Sequence, residues 1–83
     1  MKVQIRYFAS IREALGPGES VDLPAGSTLG ALRDALIARG GSHGEALARG
    51  RALRAALNQV MADESAVLTE GGEVAFVPPV TGG

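Results

Sequence analysis

Cysteine and tryptophan are absent from this 83-residue chain, and histidine and lysine occur once each, as His43 and Lys2. Without cysteine there is no disulfide framework, no thiolate nucleophile and no thiolate metal site, and one imidazole cannot assemble a histidine cluster. Aromatic residues make up only 4 % of the chain and the formal net charge is -1. Both the basic field that neutralises phosphates and the stacking surface that holds bases are therefore missing, and nucleic acid is not an expected partner. Long apolar runs are missing too. The opening MKVQIRYFAS alternates polar and apolar residues, as neither a signal peptide nor a membrane span does. A cytoplasmic protein with no membrane association is the expectation. The phosphate loop GxxxxGK[ST], HExxH and GxSxG do not occur, and Gly16-Pro17-Gly18 precedes a strand instead of opening a helix. Catalysis by side chains is not expected, nor is a bound cofactor or a metal.

The composition that remains is that of an ordinary globular domain, 46 % hydrophobic and 20 % charged, with room for one small core. Val3, Ile5 and Tyr7 alternate with Lys2, Gln4 and Arg6, the period of a strand with one buried face. After the short segment ASIREAL, GPGE supplies a turn and SVDLP a second strand with Val21 and Leu23 inward, so that the two strands form a hairpin-like pair. Ser27 or Thr28 caps a helix whose apolar stripe is Leu29, Leu32, Leu36 and Ile37, and Gly40-Gly41 ends it. Residues 42–57 are ambiguous: Ala, Leu and Arg favour helix, while Leu53, Ala55 and Leu57 alternate as a strand does. Gly50 favours a division into a short helix followed by a strand leading into NQVMA. After the turn TEGGE, EVAFVPP carries apolar residues on both faces and belongs in the middle of a sheet. Crossover handedness allows this last strand to lie parallel beside the first, with the helix stripe across one face.

Few side chains stand out. Glu13, Asp22, Asp63, Glu64, Glu70 and Glu73 are scattered and read as solvated charges, and His43, between Ser42 and Gly44, reads as an exposed loop imidazole. Phe8 falls on the face of Lys2, Gln4 and Arg6. Its ring either folds back over the core or, if the first and last strands pair, neighbours Val77 on the face away from the helix as a partner-binding patch. The chain ends in VPPVTGG. Pro78-Pro79 stiffen the exit from the last strand, and residues 78–83 extend roughly 20 Å at ~3.3 Å per residue, far enough to enter another protein's active site. Gly82-Gly83 have no Cβ, thread a narrow channel and present an unhindered carboxylate. A domain over residues 1–77 with a flexible reactive tail over 78–83 is the expected organisation.

Phe8-Ala9, Arg12-Glu13, Gly16, Ala56-Leu57-Asn58-Gln59 and above all EVAFVPPVTGG make the chain resemble the small, sulfur-carrying subunit of molybdopterin synthase. The resemblance covers most of the chain, with Gly72 standing where the family commonly has an acidic residue. It implies an α+β, ubiquitin-like β-grasp fold: a mixed sheet with one main helix on one face and a strand before Asn58-Gln59. It implies that the chain is a cosubstrate and not an enzyme on its own. An ATP-using, adenylating enzyme of the ubiquitin-activating type activates the Gly83 carboxylate, and a sulfur donor converts it to a thiocarboxylate. The tail (Pro78, Pro79, Val80, Thr81, Gly82, Gly83) then enters the large synthase subunit, where sulfur passes to a cyclic pterin phosphate. The implied docking surface is Phe8, Met61 and Val77. Alternatives are a sulfur carrier for thiazole or another thiolated product, a ubiquitin-like modifier of other proteins, and a noncatalytic interaction domain with an inert tail.

Overall fold

The computed structural model describes residues 1–79. Eight elements follow one another: β1 (Lys2–Tyr7), α1 (Ala9–Leu15), β2 (Gly18–Asp22), α2 (Leu29–Ile37), α3 (Gly41–Ala46), β3 (Arg54–Leu57), β4 (Val60–Ala62) and β5 (Glu73–Val77). The strands make one sheet in the order β2-β1-β5-β3-β4. As the two-faced apolar pattern of EVAFV requires, β5 is the central strand, parallel to β1 and antiparallel to β3.

The β1 alternation is observed as expected, with Val3, Ile5 and Tyr7 buried and Lys2, Gln4 and Arg6 exposed. In the pairing with β5, Ile5 meets Val74 and Tyr7 meets Phe76, so these four residues share the inner face. The rings of Tyr7 and Phe76 stack with centroids 6.3 Å apart. Leu29, Leu32 and Leu36 of α2 complete the core, with Ile37 packed against its margin. Of the two candidate caps, Thr28 is the one used: its Oγ1 accepts from the Ala31 amide at 3.1 Å, while the Ser27 hydroxyl donates to the Pro24 carbonyl. Two further amides at the start of α2, those of Leu29 and Gly30, donate to the Ala66 and Glu64 carbonyls.

β1 and β2 do pair antiparallel, but the segment between them is a helix, α1, which drives Ile11 into the core. The connection closes tightly at Gly18, where a Cβ would collide with the Ile5 carbonyl oxygen across the ladder. Residues 42–57 divide as Gly50 indicated: α3 lies before it and β3 after it. Gly40, which caps α3, and Gly41, its first residue, both have positive φ and turn the chain from the end of α2 into α3.

Arg33 of α2 is buried, with only 6 % of its surface exposed. Its Nε donates to the Leu47 carbonyl at 2.8 Å, and one terminal nitrogen donates to the carbonyls of Ala48 at 2.6 Å and Arg51 at 3.2 Å. The other donates to Glu64 at 3.0 Å. Glu64 is therefore not the isolated surface charge its sequence context indicates: it is clamped between Arg33 and Arg49, and Arg49 also holds Asp34. One guanidinium thus satisfies three carbonyls of the irregular segment between α3 and β3, which has no strand partner of its own. Replacing Arg33 by Met leaves the Leu47 carbonyl without its donor, reduces the Ala48 and Arg51 carbonyls to their bonds from the Arg51 and Leu53 amides, and takes one partner from Glu64, and we expect a loss of about 2–3 kcal/mol in a urea titration. A change within about 0.5 kcal/mol would show that water replaces the guanidinium freely.

Candidate functional site

The central strand delivers the chain to its C-terminal segment. Pro78 and Pro79 follow β5 directly and border a recess whose other walls are Ser10 and Ile11 of α1, Ala46 of α3, and Arg51, Ala52 and Leu53. Proline donates no amide, so the ladder ends here and the chain leaves the sheet in a restricted conformation. The predicted site residues Val80, Thr81, Gly82 and Gly83 lie outside the described residues.

Phe8 does not fold back over the core. It remains 37 % exposed, and its amide donates to the Phe76 carbonyl at 3.2 Å, extending the parallel ladder by one residue. Continuing that register places Phe8 beside Val77 on the outer face, opposite the face on which Tyr7 and Phe76 stack. Met61 reaches the same face from the sheet edge, since Met61 pairs with Ala56, Ala56 with Ala75, and Ala75 with Arg6. Phe8, Val77 and Met61, predicted as a docking surface, therefore share one sheet face, with Ala56 and Ala75 filling the ground between them. Met61 is 57 % exposed, and the Arg6 guanidinium lies 5.6 Å from the centre of the Phe8 ring.

Backbone geometry accounts for two of the sequence signatures. Ala9 follows Phe8 with φ 51°, a left-handed conformation uncommon for a residue with a Cβ, and it turns the chain from strand directly into α1. That abrupt turn leaves Phe8 as the last extended residue of its strand. Asn58 and Gln59 both have positive φ and form the two-residue connection between β3 and β4, the turn handedness that matches strand twist. Asn58 tolerates this conformation, and its Oδ1 also accepts from the Glu73 amide at 2.9 Å, tying the hairpin to the start of β5.

On the inner side a polar cluster that no short motif announces joins three elements and the α2–α3 connection. The Glu19 carboxylate of β2 accepts from the Tyr7 hydroxyl of β1 at 2.8 Å and from Arg39, after α2, at 2.5 Å, and lies 2.9 Å from Nε2 of His43. His43 is thus not an exposed loop imidazole: it lies in α3, half-buried, its ring edge-on to Tyr7. Helix α3 forms because Gly40-Gly41 redirect the chain after α2, and this brings residue 43 back over residues 7 and 19, a long-range effect. Burial alone would raise the Glu19 pKa, but hydrogen bonds from Arg39, His43 and Tyr7 outweigh it and hold the group at about 2, against an ordinary 4.5. The Tyr7 hydroxyl is pushed upward by burial and by Glu19. Asp63 keeps its surface character, accepting from the Ser65 amide at 2.9 Å, and Glu70 accepts from the Lys2 amide at 3.1 Å.

This arrangement offers an apolar patch on the outer sheet face, a stiffened exit from the central strand, and a half-buried polar cluster on the inner face. It is matched along its length by a model of the ThiS family, over residues 5–83. The chain belongs to the ThiS family. A family relative, the molybdopterin synthase sulfur carrier subunit of Escherichia coli (strain K12), is 38 % identical over 81 residues, covering 98 % of this chain and 99 % of the relative. Among solved structures, SAMP1 from Haloferax volcanii matches with a TM-score of 0.80 at 27 % identity, with all of both chains covered. A protein-protein complex of subunits 1 and 2 of molybdopterin-converting factor from Helicobacter pylori 26695 contains a chain that matches with a TM-score of 0.71 at 27 % identity, again over all of both chains. The fold is the α+β, ubiquitin-like one that the resemblance implied.

The Glu19 cluster predicts a specific acid sensitivity. Because the folded state binds the Glu19 proton more weakly than the unfolded chain does, the stabilisation is fully present above about pH 4.5 and is lost as pH falls towards 2. The difference in unfolding free energy between the native chain and Glu19→Gln, from urea titrations across this range, is expected to shrink steadily with acidification. A gap of constant size would contradict the assignment.

Proposed function

We propose that the chain is the sulfur carrier of a molybdopterin synthase and that its working group is the C-terminal carboxylate of Gly83. The observation that carries this reading is the joining of two features on one strand: β5 displays Val77 on the apolar outer face and runs directly into Pro78-Pro79 and the Gly82-Gly83 tail. The near full-length similarity to a sulfur carrier subunit supports it.

In this reading an activating enzyme joins the Gly83 carboxylate to the α-phosphate of ATP, expelling pyrophosphate, so that the carboxyl carbon carries AMP as a good leaving group. A sulfur donor displaces AMP and leaves a thiocarboxylate. The large synthase subunit takes up the tail, the terminal sulfur attacks the cyclic pterin phosphate, and water cleaves the resulting thioester so that sulfur stays on the pterin and Gly83 regains its carboxylate; two deliveries supply both sulfurs of the dithiolene. All of this takes place in the cytoplasm. The chain contributes no acid, base or metal ligand to these steps. It contributes a nucleophile at the end of a narrow arm and a surface that seats the arm. Ordering the tail costs of the order of 1–2 kcal/mol per residue, less at Pro78 and Pro79, and burial of Phe8, Met61 and Val77 offsets that cost.

A carrier for another thiolated product needs the same carboxylate, and conjugation to other proteins is the reading for which the likeness to the Haloferax chain is relevant. Isopeptide-linked products in cell extracts would mark conjugation.

Removing Gly82 and Gly83 separates the scaffold from the chemistry. We expect the shortened chain to retain its urea midpoint and to abolish molybdopterin formation in a reaction reconstituted with large subunit, activating enzyme, ATP and sulfur donor. Continued product formation would contradict the proposal.

A further inference from the structure

The arginines of this chain divide into two groups. Arg33, Arg39 and Arg49 are each engaged by carboxylates, through Glu64, Glu19 and Asp34. Arg6, Arg12, Arg51 and Arg54 are all exposed, and none forms an ion pair among the described residues. These four converge on one place. Arg6 lies beside the Phe8 ring on the outer face, and Arg12 of α1 lines the same recess as Phe8. Arg54 is the register partner of Val77, and Arg51 borders the recess that holds Pro78 and Pro79. Acidic residues line the same recesses, Glu19 and Glu73 with Arg6 and Arg12, Glu45 with Arg51, and Asp63 and Glu64 with Arg54, but Glu19 is held by Arg39 and His43, Glu64 by Arg33 and Arg49, and none forms an ion pair with these four arginines among the described residues. A chain with net charge -1 thus gathers, near the root of its tail, four arginines that form no ion pair among the described residues.

We propose that Arg6, Arg12, Arg51 and Arg54 form a cationic collar that docks against carboxylates bordering the tail-receiving channel of the large synthase subunit, an inference that rests on the sulfur-carrier reading. Any protein that takes in the tail must press the mouth of its channel against this collar. A neutral or basic rim would strip water from four guanidiniums and return nothing, whereas carboxylates pair with them. The apolar patch is small, and a carrier that visits an activating enzyme and a synthase in turn needs rapid association without slow release. Charge at the rim of an interface supplies this, because it speeds encounter far more than it slows dissociation.

The test is the kinetics of association between the full chain and the large subunit, at about 50 mM and about 300 mM salt, which span strong and weak screening. The wild-type association rate is expected to fall with salt. Arg6→Glu/Arg54→Glu is expected to lower that rate at low salt about tenfold, to leave the dissociation rate within about twofold, and to flatten the salt dependence. Arg6→Lys/Arg54→Lys, which keeps the charge, is expected to keep the rate. Phe8→Ala provides the contrast, since loss of apolar contact speeds dissociation. A wild-type association rate insensitive to salt, or a charge-reversed pair that associates normally, would overturn the collar while leaving the carrier reading intact. Failure of the wild type to bind the large subunit at all would overturn both.

Discussion

Tyr7 and Phe76 lie side by side on parallel strands with their rings stacked, and the register of that one pairing determines what the two faces of the sheet present. Both rings are essentially removed from solvent. With residues 7 and 76 inward, alternation sends residues 8 and 77 outward, and a slip of a single residue would bury Phe8 and Val77 and expose the core. The same strand must satisfy two demands: Val74 and Phe76 fill the core beneath α2, while Ala75 and Val77 remain outside. The sequence EVAFV meets both because it is apolar at four consecutive positions.

The chemistry proposed for this fold follows from how little its side chains offer. There is no thiol, and the one imidazole is committed to Glu19 in a cluster that ties β1, β2 and α3 to the end of α2. The ionisable cluster and the Arg33–Glu64–Arg49 clamp are occupied in holding irregular segments to the sheet. The carboxylate beyond the central strand is the reactive group of the sulfur-carrier reading. A small rigid body that aims its own end is an economical design for a carrier, since the same scaffold can be seated by different enzymes without presenting competing chemistry.

Much of the fold was legible from local pattern. The period-2 run of β1, the α2 stripe, the break at Gly50 and the two-faced β5 each report a neighbourhood the chain meets within a few residues of itself, and the order of elements with parallel pairing of first and last strands followed. Helix α1 was not legible, because its entry carries no capping side chain: Phe8 occupies the cap position and a strained Ala9 makes the turn. The roles of Glu19, His43 and Glu64 were hidden for a different reason. Each is set by partners distant in sequence, and a carboxylate facing one side of a strand looks the same in sequence whether or not an arginine reaches it. For Phe8 two readings were open from the sequence, and only the observed register, together with the exposure of the ring, separates them. The four arginines that form no ion pair among the described residues were invisible as a group until the fold brought residues 6, 12, 51 and 54 around one exit.

The central claim is that the reactive atom resides at the C-terminal carboxylate and nowhere in the folded body. The most direct measurement is the intact mass of the chain isolated from cells that are making the cofactor, followed by fragmentation to locate any change. Replacement of one oxygen by sulfur, confined to Gly83, is the predicted result. A terminus that is an ordinary carboxylate in every molecule, or sulfur found on any other residue, would contradict it.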